Sequence, residues 1–131
     1  MEERANEATR NRPEGDRLID APMVEIDLHR FINQLKSEEA WRDSQRNAIT
    51  VFKTDSMRLV LIGLHMGGEL PEHTAEGVIS VHVLKGHILF RANNEEKKLT
   101  EGHIITLHEN IPHSIIAVEE SIFLLTIALR K

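Results

Sequence analysis

Apolar residues along the chain recur at two different spacings. Between positions 27 and 36 they follow one face of a helix, at Leu28, Phe31, Ile32 and Leu35. Asp27 precedes them at the position of a helix N-cap, where its carboxylate can accept a hydrogen bond from the first turn. The pattern predicts one amphipathic helix of about three turns, which must pack its apolar stripe against the rest of the protein.

The remainder of the chain consists of short β-rich segments separated by turn residues. These segments cover positions 48–53, 57–65, 78–84, 87–92, 95–99, 103–107, 113–118 and 122–129. Asn93 and Asn94 predict a tight hairpin between two of them, because asparagine tolerates a positive φ. About eight short strands after a single helix predict an all-β fold, a sandwich or a barrel with antiparallel pairing.

Residues 1–17 follow neither pattern, because they are charged and almost devoid of large apolar side chains. Such a segment cannot offset the entropy cost of its own ordering by burial, so it is predicted to be a mobile arm. Residues 18–131 are predicted to form a single domain, with the helix at about 27–36 and the barrel at about 47–130.

Composition and charge exclude several classes of function. The 131 residues contain no cysteine, which excludes a disulfide framework, a thiolate zinc site, an iron–sulfur cluster and a cysteine nucleophile. A net charge of -5, with four Phe, one Trp and no Tyr, argues against a nucleic-acid partner. No apolar run is long enough to span a membrane and the first residues do not resemble a signal peptide, so we expect no membrane partner and a cytoplasmic location.

Seven of the eight histidines lie between positions 65 and 113, in the strand-rich part of the chain. Imidazole is a common ligand of divalent transition metals, and two or three histidines from neighbouring strands can form a site with open positions for substrate. A half-buried structural role is an equally good interpretation of any one histidine, because successive strand residues point to opposite faces. The histidines that face inward therefore decide whether a site exists.

Two segments containing glycine and histidine share the spacing of a known pair of motifs. The first contains Gly67, His73-Thr74-Ala75, Ile79 and Gly86, and the second contains Gly102, residues 108–112 and His113. Asn110 replaces a turn glycine of the second motif and also accepts a positive φ. Over residues 57–128 the chain resembles the cupin superfamily, in particular its small single-domain (cupin 2-like) members. The resemblance implies a cupin-type double-stranded β-helix, which is a jelly-roll barrel, with one N-terminal α-helix.

The resemblance also implies a metal centre, from which this chain departs. An intact cupin site resembles a cage of three histidines and one glutamate that holds iron, manganese, nickel or zinc. His73 and His113 match two of these ligands. Ala75 and Ile79 stand at the positions of the other two and cannot coordinate a metal.

Two other histidines are candidates for a third metal ligand. His82 lies on a predicted strand, where period-two alternation places it on the face opposite the lumen. His108 stands in the loop of the second motif, at the position of its proline. Glu72 and Glu76 flank His73 in a predicted loop and are expected to be solvated.

Segments 59–62 and 122–129 carry large apolar side chains on both faces of their predicted strands. One small barrel covered by a single helix does not obviously hide both faces, and the small cupins that this chain resembles commonly form homodimers. An isologous homodimer is therefore the predicted assembly.

Three functions remain open from the sequence. In the first, His73 and His113 are polar groups that orient a small molecule in an apolar pocket inside the barrel, without metal-dependent turnover. In the second, the same histidines bind a metal in a dioxygenase- or isomerase-like enzyme. In the third, a structural or regulatory dimer, the lumen is filled by inward side chains such as Ile79, Val81, Val83, Ile104 and Ile115. The chain has neither a G-x-S-x-G turn nor a glycine-rich phosphate loop, so other chemistries lack support.

Overall fold

The computed structural model describes residues 4–6 and 17–129. Its strands are β1 (Arg4–Asn6), β2 (Arg17–Asp20), β3 (Arg46–Lys53), β4 (Met57–Leu64), β5 (Glu69–His73), β6 (Val78–Lys85), β7 (His87–Ala92), β8 (Glu95–Thr100), β9 (Ile104–Leu107), β10 (His113–Ala117) and β11 (Ser121–Ala128). The helices are α1 (Leu28–Ser37) and α2 (Glu39–Asp43). No helix in this part of the chain is long and apolar enough to cross a membrane.

Two antiparallel sheets form the barrel. The larger sheet has the strand order β3-β4-β11-β6-β9, and the smaller sheet has the order β5-β10-β7-β8. Their facing sides share one core of buried residues: Ile62, Leu64, Ile79, Val81, Val83, Ile88, Phe90, Leu99, Ile115, Ala117 and Phe123. Asn93 and Asn94 have φ values of 53° and 62°, which confirms the predicted hairpin between β7 and β8. This architecture confirms the predicted all-β jelly-roll barrel.

Helix α1 also confirms the sequence prediction. Asp27 caps it by accepting a hydrogen bond from the Arg30 amide at 3.2 Å. Its apolar stripe packs on the outer face of the five-stranded sheet, where Leu35 joins Leu61 and Ile122 in a second core. The short helix α2 follows after an extended residue and was not predicted as a separate element.

This second core explains why β4 and β11 are apolar on both faces. Leu61 and Ile122 face the helices, whereas Ile62 and Phe123 face the barrel interior. The helical layer therefore covers the outer surface from which the homodimer was inferred. The homodimer itself stays a prediction.

A buried polar cluster joins the helices to the sheet. The Asn47 amide group donates hydrogen bonds to the Leu35 carbonyl at 3.0 Å and to Glu38 Oε1 at 2.9 Å. Asn47 Oδ1 accepts a hydrogen bond from the Ala48 amide at 2.9 Å, and Gln34 donates to Glu38 Oε2 at 3.1 Å. Asn47 and Glu38 are both buried, so their polar groups need hydrogen-bond partners within the protein, and these bonds supply them.

Three parts of the chain differ from the predicted pattern. The segment that includes the predicted loop around His73 forms β5, an edge strand, where Pro71 is tolerated because one side needs no pairing. Ile104 is 57% exposed rather than inward, because the β6–β9 register sets it opposite His82. In the predicted arm, Arg4–Asn6 pairs with β2 as a strand, while positions 1–3 and 7–16 lie outside the described residues.

Candidate functional site

The pairing of β5 with β10 brings the two motif histidines together. His73 is the register partner of His113 across these antiparallel strands. The centroids of the two imidazole rings lie 4.3 Å apart, with an angle of 56° between the ring planes. Directly opposed residues of paired strands share one face of the sheet, so this proximity follows from the register. The role of the two residues in binding stays a prediction.

A backbone hydrogen bond connects the loops that carry these histidines. Asn110 has a φ of 62°, the left-handed conformation expected at this position, since asparagine can replace a turn glycine there. Its amide donates to the Ala75 carbonyl at 2.8 Å. The segment that leads to His113 is therefore attached to the segment that follows His73.

Both imidazole rings are held by the same kind of hydrogen bond. His73 Nδ1 lies 2.8 Å from the Pro71 carbonyl oxygen, and His113 Nδ1 lies 2.9 Å from the Ile111 carbonyl oxygen. A carbonyl oxygen only accepts, so each Nδ1 carries a proton, and in the neutral form of either ring the lone pair is on Nε2. Within the described ranges neither Nε2 atom has a hydrogen-bond partner. Both rings are therefore oriented to accept a hydrogen bond through Nε2.

His113 is the more enclosed of the two histidines. It is 4% exposed, and its ring stacks on Phe90 with centroids 5.7 Å apart, whereas His73 is exposed. Burial lowers the pKa of His113 below its usual 6.5; the hydrogen bond to the Ile111 carbonyl opposes this shift, and His73 adds to it. Burial therefore favours the neutral form of His113, which keeps its Nε2 lone pair.

The histidine pair lines a cavity at the mouth of the barrel. Its volume is about 480 Å³, within the range of about 300–1,000 Å³ that is usual for small-molecule pockets. Its apolar lining consists of Ala75, Ile79, Leu125, Ile127 and Leu129. Ala75 and Ile79 thus add apolar surface at the positions where the resembled family has metal ligands. A second cavity of about 580 Å³ shares His73 and Leu125 with the first.

Three charged side chains also line the cavity: Asp55, Arg58 and Glu76. Arg58 is an even number of residues away from Ile62 and Leu64 along β4, so it lies on the same face of the strand as these two residues. Ile62 and Leu64 are buried in the barrel core. Arg58 was not among the predicted site residues, although counting back from Leu64 in steps of two reaches it. The opposite face of β4 is equally apolar, so alternation alone did not show which face is inside.

The structure does not bring the two candidate third ligands to the histidine pair. His82 pairs with Leu124 and Ile104 on the outer face of the five-stranded sheet. His108 is exposed between β9 and β10 and does not line the cavity. Across residues 4–6 and 17–129, no group of three or more histidine, aspartate or glutamate side chains could hold a metal ion.

A larger groove of about 740 Å³ lies on the outer side of the four-stranded sheet. Its charged lining residues are Glu69, Glu72, Glu95, Glu96 and Arg91. The Arg91 side chain is bound by Glu96 at 2.6 Å. The groove is thus a predominantly acidic surface depression, and the histidine-lined cavity is the better candidate site.

Comparisons with known proteins agree with the barrel architecture. A family model described as the AraC-like ligand-binding domain matches residues 64–131. A protein of unknown function from Streptococcus pyogenes is 24% identical, with a TM-score of 0.68 over 86% of this chain and 92% of that chain. An RmlC-like cupin from Desulfovibrio desulfuricans is 26% identical, with a TM-score of 0.61 over 66% of this chain and 84% of that chain.

A more distant structural similarity is to an enzyme. A mutant of salicylate 1,2-dioxygenase from Pseudoaminobacter salicylatoxidans is 19% identical, with a TM-score of 0.61 over 64% of this chain and 26% of that chain. At this identity the likeness concerns the fold alone. A comparison with curated proteins gives no match. Since the matched family model spans more than half of the 131 residues, the chain belongs to the AraC-like ligand-binding domain family, and its fold is that of the cupins.

Proposed function

We propose that the protein binds a small molecule in the barrel lumen, with His73 and His113 as the polar groups that orient it. The observation that carries this proposal is the pair of imidazole rings, 4.3 Å apart, each with an unused Nε2 atom at a cavity of about 480 Å³. An apolar pocket with a few convergent polar groups is the usual form of a small-molecule site. Membership of a ligand-binding family supports the same function.

The cavity also distinguishes this proposal from a purely structural role. A structural or regulatory dimer was expected to fill its lumen with inward side chains. Instead, Ile79 is buried in the core on one side and lines an open space on the other. Homodimer formation and a cytoplasmic location stay predictions from the sequence.

Thermal-shift screening of a library of small metabolites tests the proposal. A lumen ligand should raise the Tm of the wild type and fail to raise that of His73→Ala, which is expected to fold because His73 is exposed. His113→Ala should lose the same response. His82→Ala is the matched control, because its histidine lies on the outer face of the sheet. A library without any stabilising compound, or compounds that stabilise all variants equally, would contradict binding by the histidine pair.

A metal-dependent enzyme is the second candidate function. In its favour, both rings are held through Nδ1, the arrangement usual for histidines that bind a metal through Nε2. The dioxygenase with the same fold supports it as well. However, the described residues offer iron, manganese, nickel or zinc two ligands and no third, so the donor set does not fit a tightly held ion.

Metal analysis separates the two candidates. Wild-type protein and His113→Ala are purified without a chelator and without a metal-binding tag, and each is then incubated with iron, manganese, nickel or zinc. Stoichiometric metal in the wild type that is lost in the variant would favour the enzyme. We expect no stoichiometric metal in either protein, which would leave a cavity that binds its ligand directly.

A further inference from the structure

Arg58 is a cationic group of the cavity that the proposed function does not use. It pairs in register with Ile127 of β11, which in turn pairs with Ile79 of β6. Opposed residues share a face of the sheet, and all three line the cavity. The arginine therefore extends an otherwise apolar row into the mouth of the barrel, close to the two histidines.

The guanidinium of Arg58 favours a ligand with a single carboxylate. Within residues 4–6 and 17–129 Arg58 has no ion-pair partner, whereas Arg91 is bound by Glu96. Asp55 and Glu76 also line the cavity, each from a loop at its rim. The Glu76 carboxylate repels a multiply charged group such as phosphate more strongly than a single carboxylate, and a guanidinium binds one carboxylate in a bidentate manner.

We infer that the cavity takes a small hydroxy acid. Its carboxylate binds the guanidinium of Arg58, and its hydroxyl donates a hydrogen bond to Nε2 of His73 or His113. Its short carbon body lies on Ile79 and Ile127. This inference rests on the proposed function and adds the charge and hydrogen-bonding groups of the ligand.

NMR titration with three matched probes tests the inference. Mandelate carries both groups, mandelamide replaces the carboxylate by a neutral amide, and phenylacetate lacks the hydroxyl. Labelled methyl groups of Ile79, Leu125 and Ile127 report binding in the cavity. Mandelate should shift these signals, mandelamide should bind about tenfold more weakly or worse, and phenylacetate should fall between them.

Variants of Arg58 test whether this residue causes the preference for a carboxylate over a neutral amide. Arg58→Gln should reduce the affinity for mandelate to that for mandelamide and leave mandelamide unchanged. Arg58→Lys keeps the charge without the bidentate fork and should lose part of the affinity. Arg91→Gln is the matched control, an exposed strand arginine outside the cavity, and should bind mandelate like the wild type.

The possible failures are distinguishable. If mandelamide binds as tightly as mandelate, or if neither Arg58 variant changes mandelate binding, the hydroxy-acid inference is overturned. The proposed function then still stands, provided that His73→Ala abolishes the methyl shifts. If none of the three probes shifts the cavity methyl groups up to its solubility limit, the inference is overturned, and the metabolite screen decides the proposed function separately.

Discussion

Two clusters of polar side chains in this protein differ in how their hydrogen bonds are completed. Beneath the helices, the buried side chains of Asn47 and Glu38 bond each other, and Asn47 also bonds backbone groups. At the barrel mouth, His73 and His113 each use only Nδ1 for a described internal bond, and Arg58 has no ion-pair partner among described residues. Among the described residues, the hydrogen bonds of the first cluster are complete and those of the second are not.

This difference separates a structural role from a binding role. A buried polar group that loses its internal partner keeps its desolvation cost, so changes in the helix cluster should reduce stability. The exposed groups at the mouth, His73 and Arg58, meet water or a ligand in place of an internal partner, so changes there should affect binding with little effect on folding. Four measurements, taken from the largest expected effect to the smallest, test this distinction.

Asn47→Ala should lower the free energy of unfolding by about 3 kcal/mol, because the Glu38 carboxylate and the Leu35 carbonyl each lose a donor, at about 1–3 kcal/mol per buried group. Urea denaturation followed by circular dichroism measures the loss. Asn33→Ala, at an exposed position on helix α1, is the control and should change stability by no more than about 0.5 kcal/mol. A loss no larger than in this control would show that the cluster is not structural.

The double variant Glu38→Ala with Asn47→Ala should be less destabilised than the sum of the two single variants. Removing both partners leaves fewer unsatisfied groups than removing one, so the coupling energy should be about 1–3 kcal/mol. The same urea measurements on the wild type, both single variants and the double variant give this value. Additive losses would mean that the two side chains do not act together.

The stability of the wild type should fall as the pH falls below about 6.5 because of His113. The pKa of this residue in the folded protein is lowered from 6.5, so the unfolded chain binds a proton at His113 more readily than the folded chain does. One such proton contributes a slope of stability against pH of at most about 1.4 kcal/mol per pH unit. The contribution vanishes at higher pH, where His113 is neutral in both the folded and the unfolded chain. His113→Phe should remove it, since a phenyl ring suits the neighbouring Phe90 and does not titrate.

The two proteins differ only at position 113, so the difference between the wild-type and His113→Phe profiles isolates this residue. Identical profiles would mean that the burial of His113 does not affect its protonation. A difference of opposite sign would mean that the charged form is favoured in the folded protein.

His73→Gln should produce the smallest change in stability, within about 0.5 kcal/mol, because the side chain is exposed. The same substitution should abolish the response to any lumen ligand found by screening. Urea denaturation and the ligand titration are carried out on the same preparation. A large loss of stability would assign His73 to the structural cluster and remove the contrast between the two regions.

Most of the fold could be predicted because its signals are local. Helical spacing after Asp27, alternation within the long strands, and residues that accept a positive φ such as Asn110 depend only on near neighbours. Strand β5 was missed because Glu69–His73 is largely polar and contains Pro71, so it carries no alternation of its own. It is a strand because β10 supplies its hydrogen-bond partners.

The sequence by itself determined the barrel and its two motif histidines, since the spacing of glycines and histidines identifies both motifs without reference to the rest of the chain. Only the tertiary structure decided that Arg58 joins His73 and His113 while His82 does not. Alternation along one strand divides its residues between two faces but does not say which face is inside. That choice depends on β11 pairing with β4 and β6, and on helices that cover the other face, which are contacts between residues far apart in the chain.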